Sequence, residues 1–521
     1  MPIPAFYDDA TGEVLLNETT MKHFEKCVEE HGTDCWWSLS TEELLPAEYN
    51  SDGRDWVRGK DTLDVWFDSG TSWFAALQPR LHAEGSAAIE DPQLAVASSL
   101  VVEGSDQHRG WFQSSLLTSV AANGRAPYEK ILSHGFVLDE DGRKMSKSIG
   151  NVMDPAVVIN GGKNHQKEPA YGADVIRVWA ASTDYTRDVV IGPTTLAAAS
   201  STLRKLRNTA RFALGNLHDF DPAMHSVPVS ELPPLERFML HRLDVMSKDL
   251  TAAYDELNFS KVQTLLMQLS TSDLSAFYFD VIKDRLYCDQ PDTYRRRSAQ
   301  TVLQHALDML TKAVAPIAPF TAEDVVEHLP QTLAGAGMEP DEARTAFRDG
   351  WLAPGKDWGD DALAQQWEAL LQVRSEVVSA LDVAQKDKLF GSSLEAEVEI
   401  TIPADSALAE IIGTVTPEEL AELFIVSHCA VRLSDSADAV RGDSSDDHGV
   451  STSAVKRDAP GGAGVAMAVR VTTASGAKCG RCWRVEPGLA QPTQQQPAAA
   501  TESDGREAAG GGGLVCSRCN F

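Results

Sequence analysis

Residues 99–138 constrain the fold more than any other stretch, because apolar strand patterns flank a helical one. The segment "SLVVEG" (99–104) predicts a strand, "QHRGWFQSSLLTSVAANG" (107–124) a helix, and "KILSHGFVL" (130–138) a second strand. A strand that returns through a helix pairs in parallel with its predecessor. Ligands of such units bind at the carboxyl ends of the strands. The polar residues that follow the first strand are therefore candidate binding residues: Glu103, Gly104, Asp106 and Gln107.

Helical patterns replace strand patterns after about residue 194. The segment "TVLQHALDMLTKAV" (301–314) places its apolar residues on one helical face, and we predict a helical bundle over 195–353. Thr321 and Asp324 predict a capping box at the start of the next helix. A further helix at 365–388 precedes "GSSLEAEVEITIP", whose alternation predicts a strand. The polar, low-complexity stretch 434–464 predicts a disordered linker.

Composition limits the possible partners. The 521 residues carry a formal net charge of −30, which argues against indiscriminate nucleic-acid binding because phosphate contacts need Lys and Arg. Residues 201–300 are nevertheless balanced, with 13 Lys+Arg against 13 Asp+Glu, so this region can still bind a polyanion. No run of 18 apolar residues occurs, so we expect no membrane span.

Four of the eight cysteines form two C-x-x-C pairs near the C-terminus, in "CGRCWR" and "CSRCNF". Two such pairs can surround a tetrahedral Zn²⁺ in a closed, structural site, since the spacing lets each pair chelate from one turn. The 33 residues between the pairs exceed the usual gap, but the cost of loop closure grows slowly with length. We therefore predict one structural zinc ion, bound by Cys479, Cys482, Cys516 and Cys519.

The segment "DEDGRKMSKSIGN" (139–151), here called the lysine loop, places Lys144 and Lys147 three residues apart among serines and glycines. Such a run is either a solvated surface loop or a mobile loop that carries ammonium groups to a ligand. Trp66 in "DTLDVWFDSG" and Trp111 in "EGSDQHRGWF" are likewise either core aromatics or walls of a pocket. These residues alone leave both alternatives open.

Four segments occur in a fixed order: "DTLDVWFDSG", "EGSDQHRGWF", "GRKMSKSIGNV" and "ASTDYT" (181–186). Followed by a helical region and paired cysteines, they resemble the bacterial-type isoleucyl-tRNA synthetases, which are class I enzymes. The resemblance extends from near residue 3 to the C-terminus and is weakest over 330–470. Valyl and leucyl enzymes share "KMSKS", but "EGSDQHRGW" and "KMSKSIGN" resemble the isoleucyl version.

The resemblance implies an activity and assigns roles to residues. Enzymes of this family activate L-isoleucine with ATP and Mg²⁺ and transfer the product to tRNA(Ile). By resemblance, four residues contact the adenylate: Glu103, Gly104, Asp106 and Gln107. Trp66 and Trp111 would form aromatic walls of the isoleucine pocket. Lys147, accompanied by Lys144, would be the catalytic lysine that contacts ATP.

The resemblance also implies the fold class, which is multidomain α/β plus all-α. The implied parts are a return segment from the editing region (1–60), the second half of a Rossmann-type catalytic domain (61–194), a helical anticodon-binding domain (195–353), a small α/β junction (354–433), a flexible linker (434–470) and a zinc module (471–521). In the helical region, "RKLRNTAR" (204–211) and "RRR" (295–297) are either phosphate contacts or a solvated basic face.

One motif of class I synthetases has no counterpart here. They pair the lysine loop with an H-I-G-H-type motif, and none of the 13 histidines lies in such a sequence. We therefore expect a C-terminal portion that lacks the first catalytic half and the editing domain, and that is inactive alone unless a separate polypeptide supplies them. The alternatives are a non-catalytic tRNA-binding relative or a fragment of a valyl- or leucyl-type enzyme. We expect a monomer in the bacterial cytoplasm, or in a mitochondrion or plastid if the gene is nuclear.

Overall fold

The computed structural model describes residues 1–77, 97–334, 345–348, 350–435, 450–455, 467–487, 489 and 514–519. Two compact units result: one comprises Met1–Val152 and Asp184–Ile191, and the other comprises Met153–Thr183 and Gly192–Phe521. The first unit mixes helices and strands, whereas the second contains a helical bundle and a four-stranded sheet. The predicted combination of α/β and all-α parts is confirmed. No helix among the described residues is long and apolar enough to cross a bilayer.

Residues 6–58 form a small layer with its own core. It contains three antiparallel strands in the order β2-β1-β3 and three helices: β1 (Phe6–Asp8), β2 (Val14–Leu15), α1 (Glu18–His31), α2 (Cys35–Ser38), α3 (Thr41–Leu44) and β3 (Trp56–Arg58). The segment "ETTMKHFEKCVEE" (18–30) predicts helix α1. Asn17 caps its start, with a side chain that accepts a hydrogen bond from Thr20 N. Trp36 is fully buried and contacts Phe6 and Phe24.

The strand-helix-strand prediction for residues 99–138 is confirmed with one change. The elements of this region are α4 (Val65–Gly70), α5 (Ser72–Leu77), β4 (Ser98–Gly104), α6 (Trp111–Asn123), β5 (Tyr128–His134), β6 (Val137–Leu138) and β7 (Val189–Val190). Strands β4 and β5 pair in parallel, with Gly104 opposite His134. The predicted second strand is interrupted at Gly135, and its last residues form β6, which pairs in parallel with β7.

The interruption at Gly135 has a steric cause. Its backbone N–H donates to Tyr185 O at 2.9 Å, and an added Cβ would lie 2.2 Å from the carbonyl carbon of Arg187. No side chain fits there, so glycine is required. The motif "ASTDYT" (181–186) therefore ends where the chain runs against the start of β6.

The predicted helical bundle is confirmed in the second unit. Its helices are α7 (Pro155–Asn160), α8 (Ala173–Ser182), α9 (Pro193–Asn216), α10 (Pro222–His225), α11 (Pro234–Asp255), α12 (Phe259–Met267), a π-helix (Gln268–Tyr278), α13 (Phe279–Cys288), α14 (Tyr294–Val314), α15 (Pro319–Glu327), α16 (Gln331–Ala334) and α17 (Asp361–Lys386). Residues 153–183 pack in this unit, although we expected them in the catalytic half. The apolar face of α8 packs against α9 and α12, which explains the difference.

The capping box predicted from Thr321 and Asp324 is wrong. Helix α15 begins at Pro319, so Thr321 lies inside its first turn. The Thr321 backbone N–H and hydroxyl both donate to Asp174 Oδ2 at 2.7 Å, and Asp324 pairs with Arg207 at 2.7 Å. The side chains of Thr321 and Asp324 thus bond to residues elsewhere in the fold, so they do not cap the helix.

The flexible linker predicted for 434–470 is also wrong in part. A four-stranded sheet has the order β10-β11-β8-β9, and its strands are β8 (Ala396–Pro403), β9 (His428–Ser434), β10 (Val450–Val455) and β11 (Met467–Thr473). Strand β10 and the start of β11 lie inside the predicted linker. The Ser- and Thr-rich composition concealed a strand whose backbone pairs antiparallel with β11. The sheet therefore joins residues on both sides of the predicted boundaries at 433 and 471; the parts of 434–470 at 436–449 and 456–466 lie outside the described residues.

Short elements complete the second unit. They are a 3₁₀ turn (Ser393–Glu395), α18 (Ala407–Ile412), α19 (Pro417–Phe424), β12 (Ala477–Lys478) and β13 (Val485–Glu486), the last two forming an antiparallel pair. Strands β8 and β9 pair in parallel. The predicted helix at 365–388 and the strand within "GSSLEAEVEITIP" are confirmed as α17 and β8.

Buried charges link the bundle to the sheet region. Arg285 on α13 is almost fully buried and lies between two buried carboxylates, Glu236 on α11 at 2.7 Å and Glu422 on α19 at 2.5 Å. Glu422 also pairs with Arg295 on α14 at 2.8 Å. Burial raises the pKa of Glu236, although the guanidinium of Arg285 opposes this shift. A buried charge is tolerated only where it is paired, so each member of this group depends on the others.

Replacing Arg285 with methionine should destabilise the second unit strongly. The change leaves Glu236 and Glu422 buried without their shared cation, and breaking a buried pair in this way costs about 3–5 kcal/mol of unfolding free energy. Urea unfolding followed by circular dichroism measures the loss. The matched control is Arg432→Ala, which removes an exposed pair with Glu399 and should cost about 0–1 kcal/mol. Equal losses in the two variants would contradict this assignment.

Candidate functional site

The adenylate-binding candidates lie where the sequence places them, at the carboxyl end of β4. Glu103 and Gly104 are the last two residues of that strand, and a 3₁₀ turn over Ser105–Arg109 carries Asp106 and Gln107. Gln107 Nε2 donates to Asp106 Oδ2 at 3.1 Å. An added Cβ on Gly104 would lie 2.6 Å from Asp106 Oδ1, so the turn folds tightly back over the strand end. The geometry brings polar oxygens together at an open strand end.

The two tryptophans assigned to the amino-acid pocket converge on the same turn. Gln107 Oε1 accepts from Trp111 N at 3.0 Å, and Trp111 Nε1 donates to Ser69 O on α4 at 3.0 Å. Trp66, also on α4, lies so close to Gly110 that an added Cβ there would be 2.9 Å from its ring. Trp66 is about half exposed (47%), so it is not a core aromatic.

The lysine loop begins directly after β6 and is fastened at its base. Asp139 Oδ1 accepts from the backbone N–H groups of Asp141 and Arg143 at 3.1 and 2.8 Å. Its Oδ2 accepts from Arg143 Nε at 3.0 Å and from Asn151 Nδ2 at 2.7 Å. These bonds, that from Asn151 foremost, lower the pKa of Asp139 to about 2. The carboxylate therefore stays ionised and joins the two ends of the loop.

Both candidate lysines lie on the exposed side of this loop. The Lys144 ammonium lies 4.5 Å from the centre of the Phe136 ring, a cation–π contact. Lys147 is exposed, and no ion pair holds it within the part of the chain that is described. Gly150, at φ +74°, adopts a left-handed conformation that favours glycine. Lys147 is thus a free cation on a loop with a fixed base.

Sequence reasoning missed Asp139 and Asn151. The only signals were the "DEDG" turn and an asparagine after the glycine, which are common in any loop. Their pairing over twelve positions shows only in three dimensions.

The two basic stretches differ in exposure. The "RRR" of 295–297 does not present phosphate contacts, because Arg296 is buried and binds both Asp219 carboxylate oxygens at 2.6 and 2.9 Å. Arg297 is buried as well and pairs with Asp292. The "RKLRNTAR" of 204–211 lies on α9 and presents an exposed basic surface, here called the α9 stripe, made of Arg204, Lys205 and Arg211. Among the described residues no carboxylate pairs with the α9 stripe.

The four predicted zinc ligands converge. Their sulfur atoms all lie within 4.8 Å of one another, and all four residues are buried. Cys482 Sγ and Cys516 Sγ are 3.8 Å apart, which matches the separation of about 3.8 Å that two sulfurs have at Zn–S distances of ~2.3 Å in a tetrahedron. The residues present therefore fit a structural zinc ion with four thiolate ligands.

The surroundings favour the thiolate of Cys479, whereas burial raises the pKa of Cys482 and Cys519. An ion pair ties this segment to α13. Burial alone would raise the pKa of Cys479, but hydrogen bonds from the backbone N–H groups of Cys482, Cys516 and Arg481 lower it to about 6. Arg518, between Cys516 and Cys519, binds Asp284 on α13 at 2.6 Å. A fifth buried cysteine, Cys288, belongs to the same cluster but lies outside the C-x-x-C pairs. The remaining cysteines, Cys27, Cys35 and Cys429, are buried elsewhere.

Protein purified without chelator should contain one zinc ion per chain, as measured by elemental mass spectrometry. Cys516→Ser removes a thiolate ligand and should reduce bound zinc at least tenfold in the presence of a competing chelator. Cys429→Ser is the matched control, since Cys429 is buried in β9 away from the cluster, and its zinc content should stay at one. Metal-free protein, or full zinc retention in Cys516→Ser, would refute the site.

Two family models match separate parts of this chain. Residues 1–192 match the model of "tRNA synthetases class I (I, L, M and V)", and residues 236–400 match "Anticodon-binding domain of tRNA ligase". Among solved structures, the ternary complex of the Agrobacterium radiobacter K84 agnB2 LeuRS covers 81% of this chain and 47% of that chain, at 18% identity and a TM-score of 0.45.

Curated relatives are more similar in sequence. An isoleucine–tRNA ligase of Crocosphaera subtropica is 44% identical over 93% of this chain and 47% of its own length. An isoleucine–tRNA ligase of Nostoc sp. PCC 7120 is 45% identical over the same shares. The chain thus spans about half the length of the curated relatives it matches. The resemblance to isoleucyl-tRNA synthetases is confirmed, and the chain belongs to the class I tRNA synthetases, in the group for isoleucine, leucine, methionine and valine.

Proposed function

We propose that this chain supplies the strand end, the lysine loop and the anticodon-binding part of an isoleucine–tRNA ligase. The observation that carries the proposal is the meeting of Asp106, Gln107 and two tryptophans at the end of β4, in the same compact unit as the exposed Lys147. Relatives named isoleucine–tRNA ligase match nearly all of the chain, which favours this function over a non-catalytic tRNA-binding protein or a valyl- or leucyl-type fragment.

The chemistry suits these residue types. In the proposed reaction an isoleucine carboxylate oxygen bonds to the α-phosphorus of ATP, and the bond between that phosphorus and the bridging oxygen to the β-phosphate breaks. Negative charge develops on the departing pyrophosphate. The ammonium groups of Lys147 and Lys144, with the Mg²⁺ that accompanies ATP, would stabilise that charge. Glu103, Gly104, Asp106 and Gln107 would contact the adenylate and the isoleucine ammonium, and Trp66 and Trp111 would enclose the isoleucine side chain.

Exposed apolar residues support the view that more protein covers the strand end. Parallel strands are normally buried on both faces, yet Leu100 and Val102 on β4 and Ile131 on β5 are 39%, 51% and 43% exposed. Leu117 and Val120 on α6 are exposed as well. We propose that the remaining half of the catalytic fold, with its H-I-G-H-type motif, packs on this surface, either in the same polypeptide or as a separate one.

The helical unit is proposed to bind tRNA(Ile). The match to an anticodon-binding model covers 236–400, and the α9 stripe lies just before it on an exposed helix face. Unpaired cations on one face suit a phosphate backbone. The zinc-binding cysteines and their Arg518–Asp284 ion pair would hold the C-terminal segment against α13.

Fusing the chain in frame to the segment that precedes the matched region of the Nostoc ligase should give isoleucine-dependent ATP–pyrophosphate exchange, whereas the unfused chain should give none. In the fusion, Lys147→Ala should slow exchange by about 100-fold, the usual cost of removing one group that stabilises transition-state charge. Lys60→Ala changes an exposed lysine elsewhere in the first unit and should have no effect. Exchange by the unfused chain, or a fusion indifferent to Lys147→Ala, would contradict the proposal.

The chain should bind tRNA(Ile) more tightly than tRNA(Leu), with an affinity that falls as salt rises. Replacing Arg204 and Arg211 together with alanine should reduce the slope of log K against log salt by about 2, since each phosphate contact contributes about 1. Filter binding at salt concentrations from about 50 to 300 mM, a range that includes physiological ionic strength, measures the slope of log K against log salt. Arg432→Ala is the control outside the stripe. Salt-independent binding would refute the phosphate contacts.

A further inference from the structure

From the geometry of the lysine loop we infer that Asp139 and Asn151, here called the loop anchor, are positioning residues that set where Lys147 can reach. This inference rests on the proposed function, because it assigns Lys147 to the ATP site. Asp139 is buried and Asn151 half-buried, and both side chains form hydrogen bonds within the loop. Each acts through the backbone that leads to the lysine.

The loop anchor fixes both ends of the loop. Asp139 follows β6, which is held by β7 through backbone bonds from Val189 N to Phe136 O at 2.9 Å and from Ile191 N to Leu138 O at 3.0 Å. Asn151 Nδ2 donates to Asp139 Oδ2 at 2.7 Å. The far end of the loop is thereby tied to the edge of a paired strand.

The loop anchor also holds the backbone on either side of Met145. Asn151 Oδ1 accepts from Ser146 N at 2.9 Å, and Asn151 Nδ2 makes a second, longer contact with Lys144 O at 3.3 Å. One amide group therefore contacts the residues immediately before and after Met145. Lys147 directly follows Ser146, the last residue whose backbone bonds to Asn151.

Beyond the loop anchor only a single turn remains. Ser146 O accepts from Ile149 N at 3.2 Å and from Gly150 N at 3.1 Å, so residues 146–150 form a compact turn on which Lys147, Ser148 and Ile149 are exposed. Under this inference the turn moves as a body on a base that the loop anchor fixes. Such an arrangement limits the positions of the ammonium group before ATP arrives, which is how an enzyme reduces the entropy lost in the transition state.

A purely local role is the competing explanation. Asp139 also bonds to Asp141 N and Arg143 N, as any aspartate in a turn does. That explanation concerns residues 139–143 alone and gives no role to Asn151. The two explanations therefore differ in what Asn151→Ala does to residues 144–147.

Limited trypsin digestion of the full chain tests the loop anchor without any ATP chemistry. Trypsin can cut after Arg143, Lys144 and Lys147, and after the exposed Lys60 as an internal reference. Asn151→Ala should increase cutting after Arg143 and Lys144 about tenfold relative to Lys60, as read by mass spectrometry. Asp141→Asn, which removes only an exposed pair with Arg143, should leave the pattern unchanged. Unchanged cutting in Asn151→Ala overturns the inference.

A second measurement separates positioning from mere folding. In the fused ligase, Asn151→Ala should lower kcat for exchange about tenfold and leave KM for isoleucine unchanged. The exchanged pair Asp139→Asn with Asn151→Asp can restore a bond between an amide and a carboxylate, and it should recover most of kcat. A rise in KM for isoleucine with normal kcat would overturn the inference. A fusion without exchange would count against the proposed function, while the trypsin result would still decide on the loop anchor.

Discussion

The helical unit depends on one buried cation, Arg285. Its guanidinium binds Glu236 on α11 and Glu422 on α19, so three segments far apart in the chain meet at a single charge. Placing charges in a protein interior costs several kcal/mol per ion unless each is paired, and the pairs here form a connected set. From Glu422 the set continues through Arg295 to Asp289, which Arg518 also approaches at 3.5 Å. The four clustered cysteines are thus attached to the bundle by ion pairs as well as by packing.

The proposed catalytic region is built in the opposite way. It has few buried polar groups and uses small residues to allow close approach: Gly104 beneath Asp106, Gly110 beneath Trp66, and Gly135 against Arg187. Glu103 and Asp106 are exposed, and the strands keep apolar residues in contact with solvent. The helical unit pairs buried carboxylates such as Glu236 and Glu422 with arginines of its own, whereas a parallel strand pair with exposed faces is suited to receiving further protein.

Sequence patterns predicted the parts of this fold that have a regular period or a fixed spacing. Helix α1, the β4-α6-β5 unit, the helical bundle, β8 and the four clustered cysteines all follow from such local signals. The errors have tertiary causes. Thr321 bonds to Asp174 instead of capping a helix. Strand β10 is stabilised by its pairing with β11. The three consecutive arginines form ion pairs with Asp219, Asp292 and Glu422. The partners of Thr321 and Arg295 lie 147 and 127 positions away in the chain, where no local pattern reveals them.

The roles assigned to Glu103, Gly104, Asp106, Gln107, Trp66, Trp111, Lys144 and Lys147 came from resemblance to a family and remain predictions. The structure adds that most of them meet around one turn. Asp139 and Asn151 could not be found from the sequence, because a carboxylate and an amide twelve positions apart have no periodic signature. Their importance shows only in the hydrogen bonds that they share.

The close approach at Gly135 has a consequence for how this chain tolerates variation. The backbone at Arg187 occupies the space where any side chain at position 135 would begin, and β7, which follows directly, sets the position of β6 and hence of the lysine loop. A single added methyl group would therefore displace a loop that it never touches. Because the opposing atoms belong to the backbone of Arg187 and Asp188, position 135 needs glycine whatever side chains stand at 187 and 188.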